Sequence, residues 1–207
     1  MLKLTWLGHA CFALEAENYR ILLDPYAPGY VPGLGMVKTS ANKVLCSHQH
    51  ADHAWQGIPV PLNEIHCPFT ITAIPSFHDD AMGSKRGLNT IHVIEYNGLR
   101  VAHLGDLGHM PEEELEKKLT GLDVLLIPIG GTYTLSAAQA AELTKRLKPR
   151  MTIPMHYRKG SQGYEVLQTV EEFLQYFDGE TICRCDGNSM EVGEAALPAV
   201  AVLTYQG

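Results

Sequence analysis

One short run of the chain is rich in potential metal ligands, Ser47-His48-Gln49-His50-Ala51-Asp52-His53. It follows the apolar run Lys43-Val44-Leu45-Cys46, which has the character of a β-strand. A strand fixes the backbone and the loop after it aims the side chains, so this arrangement can hold a metal ion on a rigid edge. Imidazole nitrogens and carboxylate oxygens are ligands that zinc, iron and manganese accept. The alternative is a solvated polar loop that happens to be rich in histidine.

Size and charge limit the remaining possibilities. The 207 residues suit one domain with a sizeable core, and 45% hydrophobic with 19% charged residues is the composition of an ordinary globular protein. The net charge of -7 argues against binding of long nucleic acid, which normally needs a basic surface. A small anionic substrate is still compatible, because a bound dication would dominate the local field.

The sequence predicts a cytoplasmic protein without a membrane span. No segment reaches the roughly 18 apolar residues of a transmembrane helix, and the N-terminus lacks the features of a secretory signal. The five scattered cysteines favour reduced thiols over a disulfide framework. Cys183 and Cys185 form a C-x-C pair on one face of a predicted strand, and we expect small buried hydrophobic residues there rather than a second metal clip.

Hydrophobic periodicity and turn residues predict the secondary structure. The predicted strands are 2–7, 11–15, 19–23, 43–47, 64–67, 69–74, 90–96, 99–104, 123–129, 151–155, 181–185, 189–193 and 198–204. The predicted helices are 111–119, 136–147 and 164–177. Strands dominate the first half, and strands alternate with helices in the second. Without a linker or repeat, this predicts one mixed α/β domain over residues 1–207, in which helices cover the sheets.

Further donor side chains follow other predicted strands. They are Asp24, His78, Asp106 and His156. Alone, each such residue is most often a cap or a turn residue. Together with the run at 47–53, however, the last three bring the donors to five imidazoles and two carboxylates. One zinc ion takes about four ligands, so this set predicts two metal ions that share a carboxylate.

The H-x-H-x-D-H run followed by His78, Asp106 and His156 resembles the metallo-β-lactamase-fold superfamily of metallohydrolases. Other segments resemble the branch with ascorbate-6-phosphate lactonase-like and phospholipase D-like members, namely 8–10, 77–79, 85–90, 104–109, 128–134 and 154–157. The resemblance implies a four-layer αβ/βα sandwich, with two mixed sheets flanked by helices. It also implies a dinuclear metal site at the edge between the sheets.

The resemblance further implies a role for each donor. The ligands of the first metal would be His48, His50 and His78. The ligands of the second would be Asp52, His53 and His156. Asp106 would bridge the two ions, and Asp24 would orient the histidine cluster through a hydrogen bond. We expect zinc for this histidine-rich set, with manganese, iron and nickel as alternatives.

Two divalent ions close together can activate hydroxide and polarise a substrate oxygen. We therefore predict hydrolysis of an ester, a lactone or a phosphodiester in a small, anionic or neutral substrate, with Asp52 as the catalytic residue that orients the attacking water or takes its proton.

Weaker candidates for contacts near the metals or the substrate are His9, Arg86, His109 and Tyr133, and Lys85 beside Arg86. Each has an ordinary structural alternative, such as a turn histidine or a solvated charged loop. By contrast, His66, His92 and His103 alternate with apolar residues in predicted strands, and we do not expect them to be ligands.

Two other classes of protein remain open. A di-iron redox protein of the same fold would need a partner flavin domain or more acidic ligands than this histidine-rich set. A binding module without chemistry would usually have lost ligands, and all seven donors are present. The sequence leaves open whether the protein forms a homo-oligomer.

Overall fold

The computed structural model describes residues 1–61 and 65–207, where the chain forms twelve β-strands and three α-helices. The strands are β1 (Leu2–Trp6), β2 (Phe12–Ala16), β3 (Tyr19–Leu23), β4 (Lys43–Leu45), β5 (Thr70–Phe77), β6 (Leu88–Tyr96), β7 (Leu99–His103), β8 (Val124–Pro128), β9 (Met151–Met155), β10 (Ile182–Arg184), β11 (Ser189–Val192) and β12 (Val200–Val202). The helices are α1 (Glu113–Lys118), α2 (Ala137–Leu147) and α3 (Val170–Leu174). In the described part of the chain, no helix has the length and apolar character that crossing a membrane requires.

The strands form two sheets. The first has the order β11-β1-β2-β3-β4, and the second has the order β10-β12-β9-β8-β7-β6-β5. The first sheet is antiparallel except for β4, which is parallel to β3. In the second, β6 is antiparallel to both of its neighbours, β5 and β7, and all other neighbouring strands are parallel. Both sheets are therefore mixed, and the predicted fold class is confirmed.

The first sheet is buried on both faces. Along β2, Phe12 and Leu14 point into the main hydrophobic core, which also contains Leu126 of the second sheet. The intervening Ala13 points the other way, into a smaller cluster with Tyr26 of the following loop. This alternation follows from the two-residue period of a strand. It lets the two sheets pack face to face, while loop residues cover the outer face of the first.

The second sheet is covered by helices, of which α1 is slightly shorter and α3 much shorter than predicted. Helix α2 begins where the sequence predicts, after a capping box formed by Ser136 and Gln139. Helix α3 begins only after Thr169, whose backbone N–H donates to Glu172 Oε2 at 2.7 Å. Before it, Gln168 exchanges backbone hydrogen bonds with other segments, which fixes a non-helical path. The predicted helix 164–177 is therefore wrong over residues 164–169.

The predicted strand 64–67 is also wrong where it can be judged. Residues 65–67 are not in a strand, and Glu64 lies outside the described residues. The next strand, β5, extends past its predicted end at residue 74 and runs through Pro75 to Phe77. A proline is tolerated in this position because β5 forms the edge of its sheet.

The strand directions bring the donor side chains together. Strands β5 and β7 are both antiparallel to β6, so they run the same way, as do β8 and β9. The residues that follow these strands therefore lie together along the edge of the second sheet that is formed by the carboxyl ends of its strands. They are His78, Asp106 and His156. The histidine-rich run follows β4 of the first sheet, and Thr90 N–H donates to Ser47 O at 2.8 Å to join the two sheets there.

Close backbone packing beside this edge yields a test of the fold. A Cβ atom on Gly108 would lie 2.4 Å from the carbonyl carbon of His78, which is far inside contact distance. We expect Gly108→Ala to lower the free energy of unfolding by about 1–3 kcal/mol, because the backbone must move apart. The control is Gly179→Ala, where an added Cβ meets no heavy atom within 4 Å. Equal midpoints for the two variants in urea unfolding would contradict this packing.

Candidate metal centre

One carboxylate oxygen lies at the centre of the donor cluster. Asp106 Oδ2 is 3.2 Å from His78 Nε2, 3.2 Å from His156 Nε2, 3.3 Å from His53 Nε2 and 4.0 Å from His48 Nε2. Asp106 itself is only 2% exposed. The surrounding imidazoles hold the pKa of Asp106 well below its ordinary value, although burial acts in the opposite direction. The edge thus holds an ionised carboxylate among imidazole nitrogens.

The donor atoms in this cluster fit divalent metal ions. In the described part of the chain, the buried cluster atoms without a hydrogen-bond partner include four that can coordinate an ion, namely His48 Nε2, His53 Nε2, His156 Nε2 and Asp106 Oδ1. A buried polar atom without a partner costs about 1–3 kcal/mol, so a folded protein rarely keeps several of them together without a reason. Coordination to a metal would satisfy all four, since each atom can offer a lone pair.

Among the described residues, three overlapping groups have donor atoms close enough to hold an ion. Within each group, the donor atoms lie within 4.8 Å of one another. They are His48 with His50 and His78, His48 with His53 and Asp106, and His9 with Asp52, His53 and His156. All seven predicted ligands occur in these groups, and His9 joins them.

A buried carboxylate after β3 orients two of the histidines. Asp24 Oδ2 accepts from His53 Nδ1 at 2.8 Å and from Ser47 Oγ at 2.6 Å. Because the Ser47 hydroxyl proton goes to Asp24, His48 Nδ1 must donate to Ser47 Oγ, 2.9 Å away. Both imidazoles therefore donate from Nδ1 and turn Nε2 towards the cluster. Burial lowers the pKa of His48 to about 3, so its Nε2 is unprotonated. Burial would lower the pKa of His53 as well, but Asp106 and Asp24 raise it well above its ordinary value, so an ion bound there would replace the proton on its Nε2. Burial would raise the pKa of Asp24, but His53 and the hydrogen bonds lower it to about 2.

Backbone and amide groups orient the other ligands. His78 Nδ1 donates to the carbonyl of Tyr133 at 3.1 Å, which again leaves Nε2 free. Asn89 Oδ1 accepts the backbone N–H of Asp106 at 2.9 Å, while its amide nitrogen donates to Ser76 Oγ and the Leu104 carbonyl. Sequence reasoning assigned no role to Asn89. The signal that could have found it is a polar amide at the start of an otherwise apolar strand.

His9 lies against the cluster from the end of β1. Its carbonyl accepts from Trp6 Nε1 at 3.0 Å and from the His156 backbone N–H at 3.2 Å, and its φ of 52° is left-handed. Its Nε2 is 3.4 Å from Asp52 Oδ2. Burial and the nearby His156 lower the pKa of His9 to about 3, so the ring is neutral and donates to Asp52. This hydrogen bond helps to keep the pKa of Asp52 below its ordinary value, against the effect of burial.

A cavity of about 510 Å³ opens over the cluster. It is lined by Tyr30, His50, Ala51, Asp52, His78, Arg86, Asp106, Tyr133 and Tyr164. Arg86 and Tyr133, which the sequence singled out, thus lie beside the donor cluster.

Other histidines lie away from the cavity over the cluster. His109 does not line this cavity but a neighbouring groove, where its ring lies 5.7 Å from that of Phe77. His92 and His103 hydrogen-bond to backbone carbonyls, and His66 is exposed, as expected for residues that are not ligands.

Lys85 and the C-x-C pair also lie outside the cavity. Lys85 forms an ion pair with Asp80 at 2.6 Å. Cys183 and Cys185 share a face, with Sγ atoms 3.5 Å apart, but Cys183 is exposed, so the expectation of two buried residues is wrong. The strand β10 ends at Arg184 and lies at the edge of its sheet, which leaves this pair at the surface.

Known proteins of similar sequence identify the family of this chain. A family model described as a beta-lactamase superfamily domain matches residues 3–156. A UPF0173 metal-dependent hydrolase of Desulforamulus reducens is 30% identical over 192 residues, which cover 75% of this chain and 84% of the relative. Another, from Caldivirga maquilingensis, is 31% identical over an alignment of 209 positions, which covers 82% of this chain and 87% of the relative.

Solved structures show the same likeness. A crystal structure from Thermotoga maritima, assigned to the Zn-dependent hydrolases of the metallo-β-lactamase superfamily, has a TM-score of 0.79 and 34% identity, with 100% of both chains covered. The metallo hydrolase Igni18 of Ignicoccus hospitalis has a TM-score of 0.63 and 25% identity over 84% of this chain and 89% of its own. This chain therefore belongs to the metallo-β-lactamase superfamily, within its family of metal-dependent hydrolases.

The loop beside His78 gives a pH-dependent prediction. The buried carboxylate of Asp79 accepts four backbone N–H groups, those of Ala81, Gly83, Lys85 and Arg86, at 2.7–3.0 Å. Burial would raise the pKa of Asp79, but these donors lower it from 3.8 to about 2. Its ionised form therefore stabilises the fold above about pH 4, and this contribution is lost as the pH falls towards 2.

We expect Asp79→Asn to lower the free energy of unfolding near neutral pH, and the difference from the parent to narrow between about pH 4 and pH 2. Urea unfolding at a series of pH values measures this. Asp80→Asn is the control, because the Asp80 side chain is exposed and pairs only with Lys85. A difference that stayed constant across this range would show that the charge of Asp79 does not hold the loop.

Proposed function

We propose that this protein hydrolyses an ester, a lactone or a phosphodiester bond of a small substrate, with two divalent metal ions held at the edge of its sheets. We further propose that residues 1–207 act as one hydrolase domain. The observation that carries the proposal is the crowding of imidazole nitrogens around Asp106 Oδ2, three of which lie within 3.3 Å of it. Family membership supports the hydrolytic class of the reaction.

The proposal assigns each donor to an ion. His48, His50 and His78 hold the first ion. Asp52, His53 and His156 hold the second. Asp106 bridges the two. Support comes from the donor count, since seven ligands exceed the roughly four positions of one zinc ion, and from the three overlapping groups of donor atoms. Five imidazoles with two carboxylates favour zinc among the divalent metals of the first transition row.

When bound, the two ions supply hydroxide from water near neutral pH and withdraw charge from a carbonyl or phosphoryl oxygen. The protein side chains do the rest. Asp52 lines the cavity and is ionised, and its Oδ2 is fixed by His9, so its carboxylate can hold the proton of the attacking water. Asn89 and Asp24 keep the ligands in place before the substrate arrives, which removes the cost of ordering them during the reaction.

Metal content and turnover test the proposal together. We expect the parent to bind two equivalents of zinc and to cleave at least one member of a panel containing an aryl acetate, a lactone and an aryl phosphodiester. Asp106→Ala removes the shared ligand, so both zinc equivalents should bind weakly. Turnover should fall by about 100-fold or more, because even the loss of a group that only orients a ligand lowers activity by up to about 100-fold. His50→Ala should release one equivalent.

His66→Ala is the matched control, because it removes an exposed histidine away from the cluster. It should keep both equivalents and full turnover. Elemental analysis after dialysis against a weak chelator gives the stoichiometry. Undiminished turnover in Asp106→Ala, for a substrate that the parent cleaves, would overturn the proposal.

A further inference from the structure

Arg86 places a positive charge on the wall of the cavity over the donor cluster. The guanidinium donates from Nη2 to the carbonyl of Thr132 at 3.1 Å, and its central carbon lies 5.7 Å from the centre of the Tyr133 ring. In residues 1–61 and 65–207, no carboxylate lies within 4.0 Å of its nitrogens. A guanidinium has five N–H donors, so most of them remain available to a ligand.

The protein holds this arginine in place from two sides. The backbone N–H of Arg86 donates to Asp79 Oδ2 at 2.7 Å, and Asp79 binds three other N–H groups of the same loop. On the other side, Thr132 and Tyr133 fix the end of the side chain. A side chain that is ordered before binding loses little entropy when a ligand arrives, so it binds more tightly.

The electrostatics of the cavity favour a negatively charged ligand. The two proposed divalent ions would carry more positive charge than Asp52 and Asp106 neutralise, and Arg86 would add to the excess. The protein as a whole has a net charge of -7, so this positive potential is local to the cavity. An unpaired cation beside a positive centre is unfavourable unless the ligand brings compensating negative charge.

The rest of the cavity wall is aromatic. Tyr30, Tyr133 and Tyr164 line it, and the rings of Tyr133 and Tyr164 meet edge to face with centroids 6.5 Å apart. Tyr30 and Tyr133 remain 51% and 38% exposed. Such rings offer flat apolar surfaces with little side-chain entropy to lose, which suits an apolar or planar group of the ligand.

We propose that the substrate is an anion, whose phosphoryl or carboxylate oxygens bind Arg86 and whose apolar part packs against the three tyrosines. This inference rests on the proposed hydrolase function. It narrows the substrate class, because a neutral ester would pack against the tyrosines but would leave the Arg86 guanidinium without a partner. A planar guanidinium also binds two oxygens of one oxyanion at once, which a lysine cannot reproduce.

Matched substrates test the inference. They are a neutral aryl acetate, the same aryl group on an ester with a carboxylate in the acyl chain, and the same aryl group in a methyl phosphodiester. For Arg86→Gln, we expect kcat/KM for the anionic substrates relative to the neutral one to fall by about 10- to 100-fold, mainly through KM, as for loss of a hydrogen bond between charged groups. Arg86→Lys should recover part of this ratio.

Lys85→Gln is the control, because it removes the same charge from the same loop but outside the cavity. It should leave the ratio unchanged. The two anionic substrates also report separately on the two oxyanions, because a fall in the ratio for either substrate shows that Arg86 binds the carboxylate or the phosphoryl group of that substrate. Equal ratios in the parent and Arg86→Gln, or equal losses in Arg86→Gln and Lys85→Gln, would overturn the inference and leave the hydrolase proposal intact.

Binding gives a readout that does not depend on turnover. Phenylphosphonate, whose C–P bond resists hydrolysis, should bind the zinc-loaded parent and bind Arg86→Gln about 10-fold or more weakly in calorimetry. If the parent cleaves none of the substrates, the proposed function fails, and calorimetry alone then decides whether the arginine binds an anion. Equal affinity of the parent and Arg86→Gln would overturn it.

Discussion

The buried carboxylate of Asp24 sets the conformation of the donor loop. It is fully buried and accepts three hydrogen bonds, from the Ser47 backbone and hydroxyl at 2.6 Å and from His53 Nδ1 at 2.8 Å. A buried charge is tolerated only when it is well paired, so the loop after β4 must adopt the one shape that supplies all three donors. That shape fixes the tautomers of His48 and His53 and aims both rings at Asp106. The histidine cluster therefore depends on a residue that lies behind it and does not line the cavity.

The junction of the two sheets carries the rest of the site. Asn89 ties the Asp106 backbone to Ser76 and Leu104, and Thr90 next to it bonds to Ser47 of the opposite sheet. The start of β6 thus positions the bridging carboxylate and anchors the donor loop. Because the polar groups of this junction satisfy one another, a change at any of them is felt by the others.

Much of the fold and the donor set could be predicted from the sequence. The H-x-H-x-D-H run and the strand ends at His78, Asp106 and His156 are local signals, and parallel strands bring such ends together. The start of α2 was also predictable, since the Ser136 cap is local. In contrast, α3 is shorter than predicted because Gln168 bonds to Gly130, which is distant in the sequence.

The same limit applies to the supporting residues. The roles of Asn89 and of the Tyr133 carbonyl arise from contacts across 17 and 55 residues, which no periodicity encodes. His109 illustrates a second limit. It follows Asp106 closely in the sequence, yet the chain turns and its ring points into a different groove. Proximity along the chain does not decide which side of a loop a side chain occupies.

The donors come from four separate parts of the chain, at 48–53, 78, 106 and 156. An ion that joins them would act as a cross-link between segments that are up to about a hundred residues apart, and closing such long loops has an entropic cost. Metal loading and folding are then thermodynamically coupled, since ligand affinity adds to the stability of the native state. The same side chains that would bind the ions would also hold the ends of β4, β5, β7 and β9 together, so the free energy of unfolding would rise with the concentration of free metal.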